Sequence, residues 1–150
     1  MERIKNNELP HGLMASMHQV EAYLSNCGLD HSLLELMRLR VSQINGCAYC
    51  LDMHSKELLH AGETIQRMIS VSAWREAPYY TPKEQAVLAF AELLTYMKAE
   101  TDADESHEVL SRHFSKQEIA SLTLAIAQIN SWNRIVKSTG AIAGNYQVKQ

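Results

Sequence analysis

The sequence predicts an all-α protein of about six to seven helices. Three observations carry that prediction. Apolar residues recur at three- and four-residue spacing along most of the 150-residue chain. No stretch alternates apolar and polar residues in the manner of a half-buried strand. Two complete helix-start signatures, Thr81-Pro82-Lys83-Glu84 and Ser115-Lys116-Gln117-Glu118, stand in the second half. A single domain over residues 1–150 is expected from this length.

The elements follow in order. A first helix is expected over about residues 12–26, where Met14, Met17, Val20 and Leu24 form one stripe and Gly28 follows as a stop. A second covers roughly 32–44, with Leu34, Met37, Val41 and Ile44 at helical spacing, and Asn45-Gly46 breaks it. A third runs from about Cys47 to His60, ended by Gly62. A short fourth begins near Thr64 and fades around Trp74, before a connector over residues 75–80. In the fifth, an N-cap threonine, a first-turn proline and a glutamate three after the cap set the start, and the helix reaches about Lys98. Acidic residues 102–105 open a sixth, ending near His113, and complement its dipole. Ser115 caps a long last helix carrying Ile119, Leu122, Ile126 and Ile129. The second helix is apolar on more than one side, since Leu36 and Leu39 lie away from the Leu34–Met37–Val41 stripe. That pattern predicts a homo-oligomer whose interface covers the helix and helps to build the site.

Composition narrows the functional classes. Hydrophobic residues are 46% and charged residues 21%, the balance of a folded globular chain. With a formal net charge of −3 and scattered lysines and arginines, no basic field exists to attract a phosphate backbone, so nucleic-acid binding is not expected. No apolar run reaches membrane-spanning length, and residues 1–7 lack the apolar segment of a secretory leader, so a cytoplasmic protein without membrane attachment is expected. Three cysteines, Cys27, Cys47 and Cys50, are an odd set for a structural disulfide framework.

The chemistry-bearing segment is Gly46-Cys47-Ala48-Tyr49-Cys50-Leu51-Asp52-Met53-His54. On a helix the two sulfurs, three apart, and the imidazole, four further on, share one face. Thiols near a helix N-terminus gain thiolate character, and a histidine one turn along can take or return the proton. Such a pair can close and reopen a disulfide. A rival reading makes Cys47, Cys50 and His54 metal ligands in a non-catalytic helical oligomer, although a structural zinc site takes four ligands and no second ligand pair is evident. Glu35 lies about one helical hairpin upstream and could face the thiols, or could simply pair with Arg38 at i,i+3. Asn130, Asn133 and Arg134 interrupt an apolar helix and read best as buried hydrogen-bonding groups or as part of an interface. His11, His18, His31, His60, His107 and His113 show no mutual spacing and are expected on the surface.

The run Glu35 … Arg38 … Val41-Ser42 … Asn45-Gly46-Cys47-Ala48-Tyr49-Cys50 … His54 … Ala61-Gly62 resembles the core motif of the carboxymuconolactone decarboxylase-like superfamily. With both cysteines present it is most similar to the alkylhydroperoxidase AhpD-like branch. The resemblance is densest over residues 33–62, and a looser similarity runs through residues 114–119 to 129–134. It implies an AhpD-like helical fold and a peroxidase of alkyl hydroperoxides. In that scheme Cys50 is the thiol oxidised by peroxide, Cys47 its resolving partner and proton donor, and His54 with Glu35 a proton relay. A thiol or lipoyl-type reductant would supply electrons, with no bound cofactor or metal. Small relatives assemble as trimers or as hexamers of three dimers, so a hexamer is the favoured state and a trimer the alternative. One departure is plain: the AhpD pattern has a histidine between the cysteines where this chain has Tyr49. A phenol is a poor proton carrier near neutral pH, so a shorter relay is expected.

Overall fold

Burial is deepest along one central helix, and the rest of the chain is arranged around it. In the computed structural model, which describes residues 2–148, seven α-helices follow one another with no strand among the described residues. They are α1 (Leu13–Ser25), α2 (His31–Asn45), α3 (Ala48–His60), α4 (Ile65–Ser70), α5 (Pro82–Thr95), α6 (Asp104–Leu110) and α7 (Lys116–Thr139). Single 3-10 turns occupy Asn6–Glu8 and Val71–Ala73. No helix among the described residues is long and apolar enough to cross a membrane.

Most helix starts, though not those of α1 and α6, are fixed by side chains that satisfy otherwise unpaired backbone N–H groups. Asp30 accepts from the Leu33 amide at the head of α2, and Thr64 accepts from the Arg67 amide at the head of α4. Both expected capping boxes form: Thr81 and Glu84 at α5, Ser115 and Glu118 at α7. Helix α2 ends on Gly46 in the left-handed region, φ +60°, where a β-carbon would be strained. The sixth helix is shorter than the sequence suggested, stopping at Leu110 before a turn over residues 111–113.

All seven residues from Leu33 to Leu39 are buried, and α3, α5 and α7 pack on α2 from different sides. Leu33, Leu34, Met37 and Val41 enter a core with Phe90 of α5 and Leu122, Ile126 and Ile129 of α7. Leu36 and Leu39 enter a second core with Leu58, Met68, Val71, Trp74 and Leu88. The many-sided apolarity of α2 is therefore satisfied within one chain. This corrects the expectation that a subunit interface must cover it: helices distant in sequence do so. The buried Glu92 carboxylate fastens α5 to α2, accepting from Arg40 Nε at 2.7 Å and from Trp74 Nε1 at 2.9 Å.

The chain ends complete the structure near α3 and α7. The backbone amides of Arg3 and Ile4 donate to the Thr139 carbonyl at 2.7 and 3.1 Å, and the Arg3 guanidinium donates to the Lys137 and Ser138 carbonyls. This satisfies the carbonyls that the end of α7 leaves free. Beyond Gly140 the chain runs back along α3. There the Asp52 carboxylate accepts from the amides of Gly144 and Tyr146, and Lys56 Nζ donates to the carbonyls of the same two residues.

Candidate active site

The turn between α2 and α3 determines where the two sulfurs lie. Its anchor is a polar cluster with α7. Asn45 Nδ2 donates to Asn133 Oδ1 at 2.8 Å and to Asn130 Oδ1 at 3.0 Å, while Asn133 Nδ2 donates to Ser42 Oγ at 3.2 Å. Lys137 Nζ donates to the Asn45 carbonyl at 2.7 Å, and the Cys47 amide donates to the Ser42 carbonyl. Asn133 is fully buried and Asn130 partly so, and both hydrogen-bond to the turn as expected of buried polar groups, whereas Arg134 is exposed and bonds back to Asn130.

Cys47 is not the first residue of α3 but its N-cap, and its sulfur accepts from the Cys50 amide at 3.4 Å. Cys50 sits in the first turn of the helix. The two cysteines are joined as a disulfide, with Cα atoms 5.3 Å apart, well inside the range such a bond spans. Cys27, by contrast, is a free thiol that packs against the larger core. Cys47 and Cys50 differ in access. Both are buried, but Cys50 lines a cavity of about 480 Å³ that Cys47 does not reach.

One turn beyond Cys50, His54 donates or accepts through Nδ1 at 2.7 Å from Glu35 Oε2. Glu35 uses its other oxygen, Oε1, to accept from Arg38 Nη1, also at 2.7 Å. Glu35 thus makes the expected pair with Arg38 through one oxygen and meets His54, not a sulfur, through the other. Arg38 Nη2 continues to Glu21 Oε2 at 3.0 Å, and Glu21 Oε1 accepts from Trp132 Nε1 at 2.7 Å. A chain of contacts His54–Glu35–Arg38–Glu21–Trp132 therefore joins α3, α2, α1 and α7.

Electrostatics then fix the proton positions. Burial alone would raise the Glu35 carboxyl. The hydrogen bond and charge of His54, together with Arg38, outweigh it and hold the group at about 2. An ionised carboxylate can only accept, so the proton of the shared bond belongs to His54 Nδ1. With that proton on Nδ1, Nε2 is the position that can take or give up a second proton. That nitrogen is buried without a hydrogen-bond partner, and the His54 side chain lines the cavity.

Sequence reasoning named Glu35, Cys47, Cys50 and His54, and the fold brings all four together from one chain. It missed Glu21 and Trp132, and it placed His18 simply on the surface. His18 is exposed, but it also lines the cavity and lies 5.8 Å, centroid to centroid, from the Trp132 ring. Tyr49 lines the cavity as well, half-buried. Among the described residues no group of three or more His, Cys, Asp or Glu side chains is arranged to hold a metal ion.

This is a helical thiol–disulfide architecture with a histidine–glutamate pair beside the sulfurs. The chain belongs to the carboxymuconolactone decarboxylase family, whose profile matches residues 10–93, and within it to the AhpD-like branch. It is 36% identical over 139 residues to the uncharacterized protein YdfG of Bacillus subtilis (strain 168), covering 93% of this chain and 95% of that one. Over 69 residues it is 44% identical to the alkyl hydroperoxide reductase AhpD of Streptomyces coelicolor, covering 44% of this chain but only 39% of that protein. A solved structure from Agrobacterium tumefaciens, of unknown function and described as a putative antioxidant defence protein AhpD, superposes with a TM-score of 0.90. It is 39% identical, covering 97% of this chain and all of that one.

Proposed function

We propose that this protein is a thiol-dependent peroxidase that reduces organic hydroperoxides through Cys50 and Cys47. The observation that carries the reading is the cavity wall. It is lined by Cys50, one member of a disulfide-forming pair, and by His54, whose buried Nε2 has no partner of its own.

The steps follow from the positions. In the reduced protein His54 Nε2 accepts the Cys50 proton, helped by the first-turn dipole of α3. The thiolate attacks the terminal peroxide oxygen, the S–O bond forms, the O–O bond breaks, and the alcohol leaves with a proton returned by His54. Cys47 then attacks the resulting sulfenic acid, the S–S bond forms and water leaves. A dithiol reductant of the lipoyl or small-thiol class restores both cysteines by thiol–disulfide exchange, becoming oxidised itself. Glu35 stays ionised throughout and holds the ring in the tautomer that leaves Nε2 free. Similarity to proteins named alkyl hydroperoxide reductase supports this choice among the family's activities.

The test uses single cysteine variants with cumene hydroperoxide and a dithiol. Cys50→Ser abolishes turnover. Cys47→Ser accumulates a sulfenic acid on Cys50, captured by a dimedone-type reagent and located by peptide mass. Peroxide-dependent labelling of Cys47 in the Cys50→Ser protein would reverse the two roles, and absence of labelling in both would refute the reading.

A further inference from the structure

The walls of the cavity are largely apolar, with Met14, Met53, Ile135 and Ile142 among them, yet three carboxylates also line it: Glu2 at the exposed N-terminal end, then Glu21 and Glu35. Among the described lining residues, Arg38 is the single arginine or lysine. Both of its terminal nitrogens already face carboxylates, Nη1 toward Glu35 at 2.7 Å and Nη2 toward Glu21 at 3.0 Å. Two negative groups thus meet one positive group. The Trp132 indole holds Glu21 in place from the other side, and Glu21 is partly shielded, its side chain 31% exposed.

A carboxylate entering such a space loses its hydration and finds the one lining guanidinium already paired on both arms, while the lining His54 is engaged by Glu35 and His18 stands exposed. An uncharged molecule of the same shape loses little. We propose that Glu21, by occupying the second arm of Arg38, makes this cavity select uncharged organic ligands over carboxylate-bearing ones. On the peroxidase reading, on which the naming of the substrate rests, the protein's substrates are then neutral hydroperoxides. Glu21 is a specificity-determining residue in this scheme. It carries no proton in the chemistry and acts by neutralising the guanidinium that would otherwise receive an acid.

The experiment separates charge from size and binding from catalysis. Two inert alcohols, methyl 4-(2-hydroxypropan-2-yl)benzoate and its free acid, are titrated calorimetrically into the protein with the Cys47–Cys50 bond formed, near neutral pH. The ester binds at least about tenfold more tightly than the acid, since an unpaired buried charge is disfavoured. In Glu21→Gln, which keeps the side-chain shape, the ratio falls to about threefold or less as Arg38 gains a free arm. Equal binding of the two alcohols to the unaltered protein, or binding of neither up to millimolar concentration, overturns the proposal without need of the variant. A folded Glu21→Gln protein, checked by circular dichroism, whose ratio is unchanged overturns the assignment to Glu21. The corresponding hydroperoxides are then assayed separately for disulfide formation. If neither oxidises the reduced pair while the alcohol ratio holds, the peroxidase reading fails and the charge selection stands.

Discussion

Glu35 couples protein stability to acid through a single buried carboxylate. Its carboxyl is held at about 2, against an ordinary value of 4.5, so the folded state binds its proton less readily than the unfolded chain does. The stabilisation is therefore complete above about pH 4.5 and is lost as pH falls through about 2. Urea midpoints measured down this window should fall for the native protein, and Glu35→Gln should remove this component of the fall. At neutral pH the same variant should be less stable by roughly 3 kcal/mol, because Arg38 and His54 lose a charged partner. Its peroxide turnover should drop by about 10²-fold or more if the His54 tautomer depends on that carboxylate. A variant with native acid sensitivity would show that Glu35 is not the titrating group.

At the scale of elements, the junction between α2 and α3 does more than reverse the chain. It places Cys47 outside the helix and Cys50 inside it, and the Asn45–Asn133–Ser42 cluster makes that placement rigid. Asn133→Ala leaves buried polar groups with fewer partners and should cost about 1–3 kcal/mol, read from denaturant unfolding. It should also slow closure of the Cys47–Cys50 bond after mild oxidation, whereas a change that merely weakened the core would not. The helices themselves were largely legible in the sequence, because caps such as Thr81 and Ser115 are local signals that need no partner far away. Glu35 was legible only in part: its i,i+3 spacing to Arg38 is equally satisfied by a surface pair, and spacing cannot reveal a second oxygen aimed at His54. Glu21 and Trp132 were not legible at all. They meet across 111 positions of sequence, and no periodic pattern encodes such a contact.

For the molecule as a whole, the same limit explains why α2 misled. A helix apolar all round must be buried on all sides, but sequence alone does not say whether its neighbours come from the same chain. Here they do. The expectation of a homo-oligomer therefore keeps only its second ground, the resemblance to small family members, and we propose α4 as a contact, where Ile65 and Ile69 lie one turn apart and are 61% and 69% exposed. Apolar residues so placed are suited to a contact between copies. Light scattering at micromolar concentration should give a multiple of the 17.0 kDa chain mass, with a hexamer favoured. Ile65→Glu together with Ile69→Glu should lower that mass while leaving the helical spectrum intact. A monomer in the unaltered protein would end the oligomer proposal.

The unequal access of the two sulfurs has a kinetic corollary. Cys47 is sealed, while Cys50 faces the cavity, so on the proposed peroxidase reading a peroxide and a reductant would approach the same atom through the same opening. Two visitors with one entrance cannot be aboard together. The alcohol must depart before the dithiol enters, and the dithiol must depart before the next peroxide. Steady-state rates at several fixed reductant concentrations should then give parallel double-reciprocal lines, the pattern of a substituted-enzyme cycle. An inert alcohol that fills the cavity should compete with the reductant as well as with the peroxide. Intersecting lines would mean that the dithiol reaches the disulfide by another route, past the polar turn that now closes over Cys47.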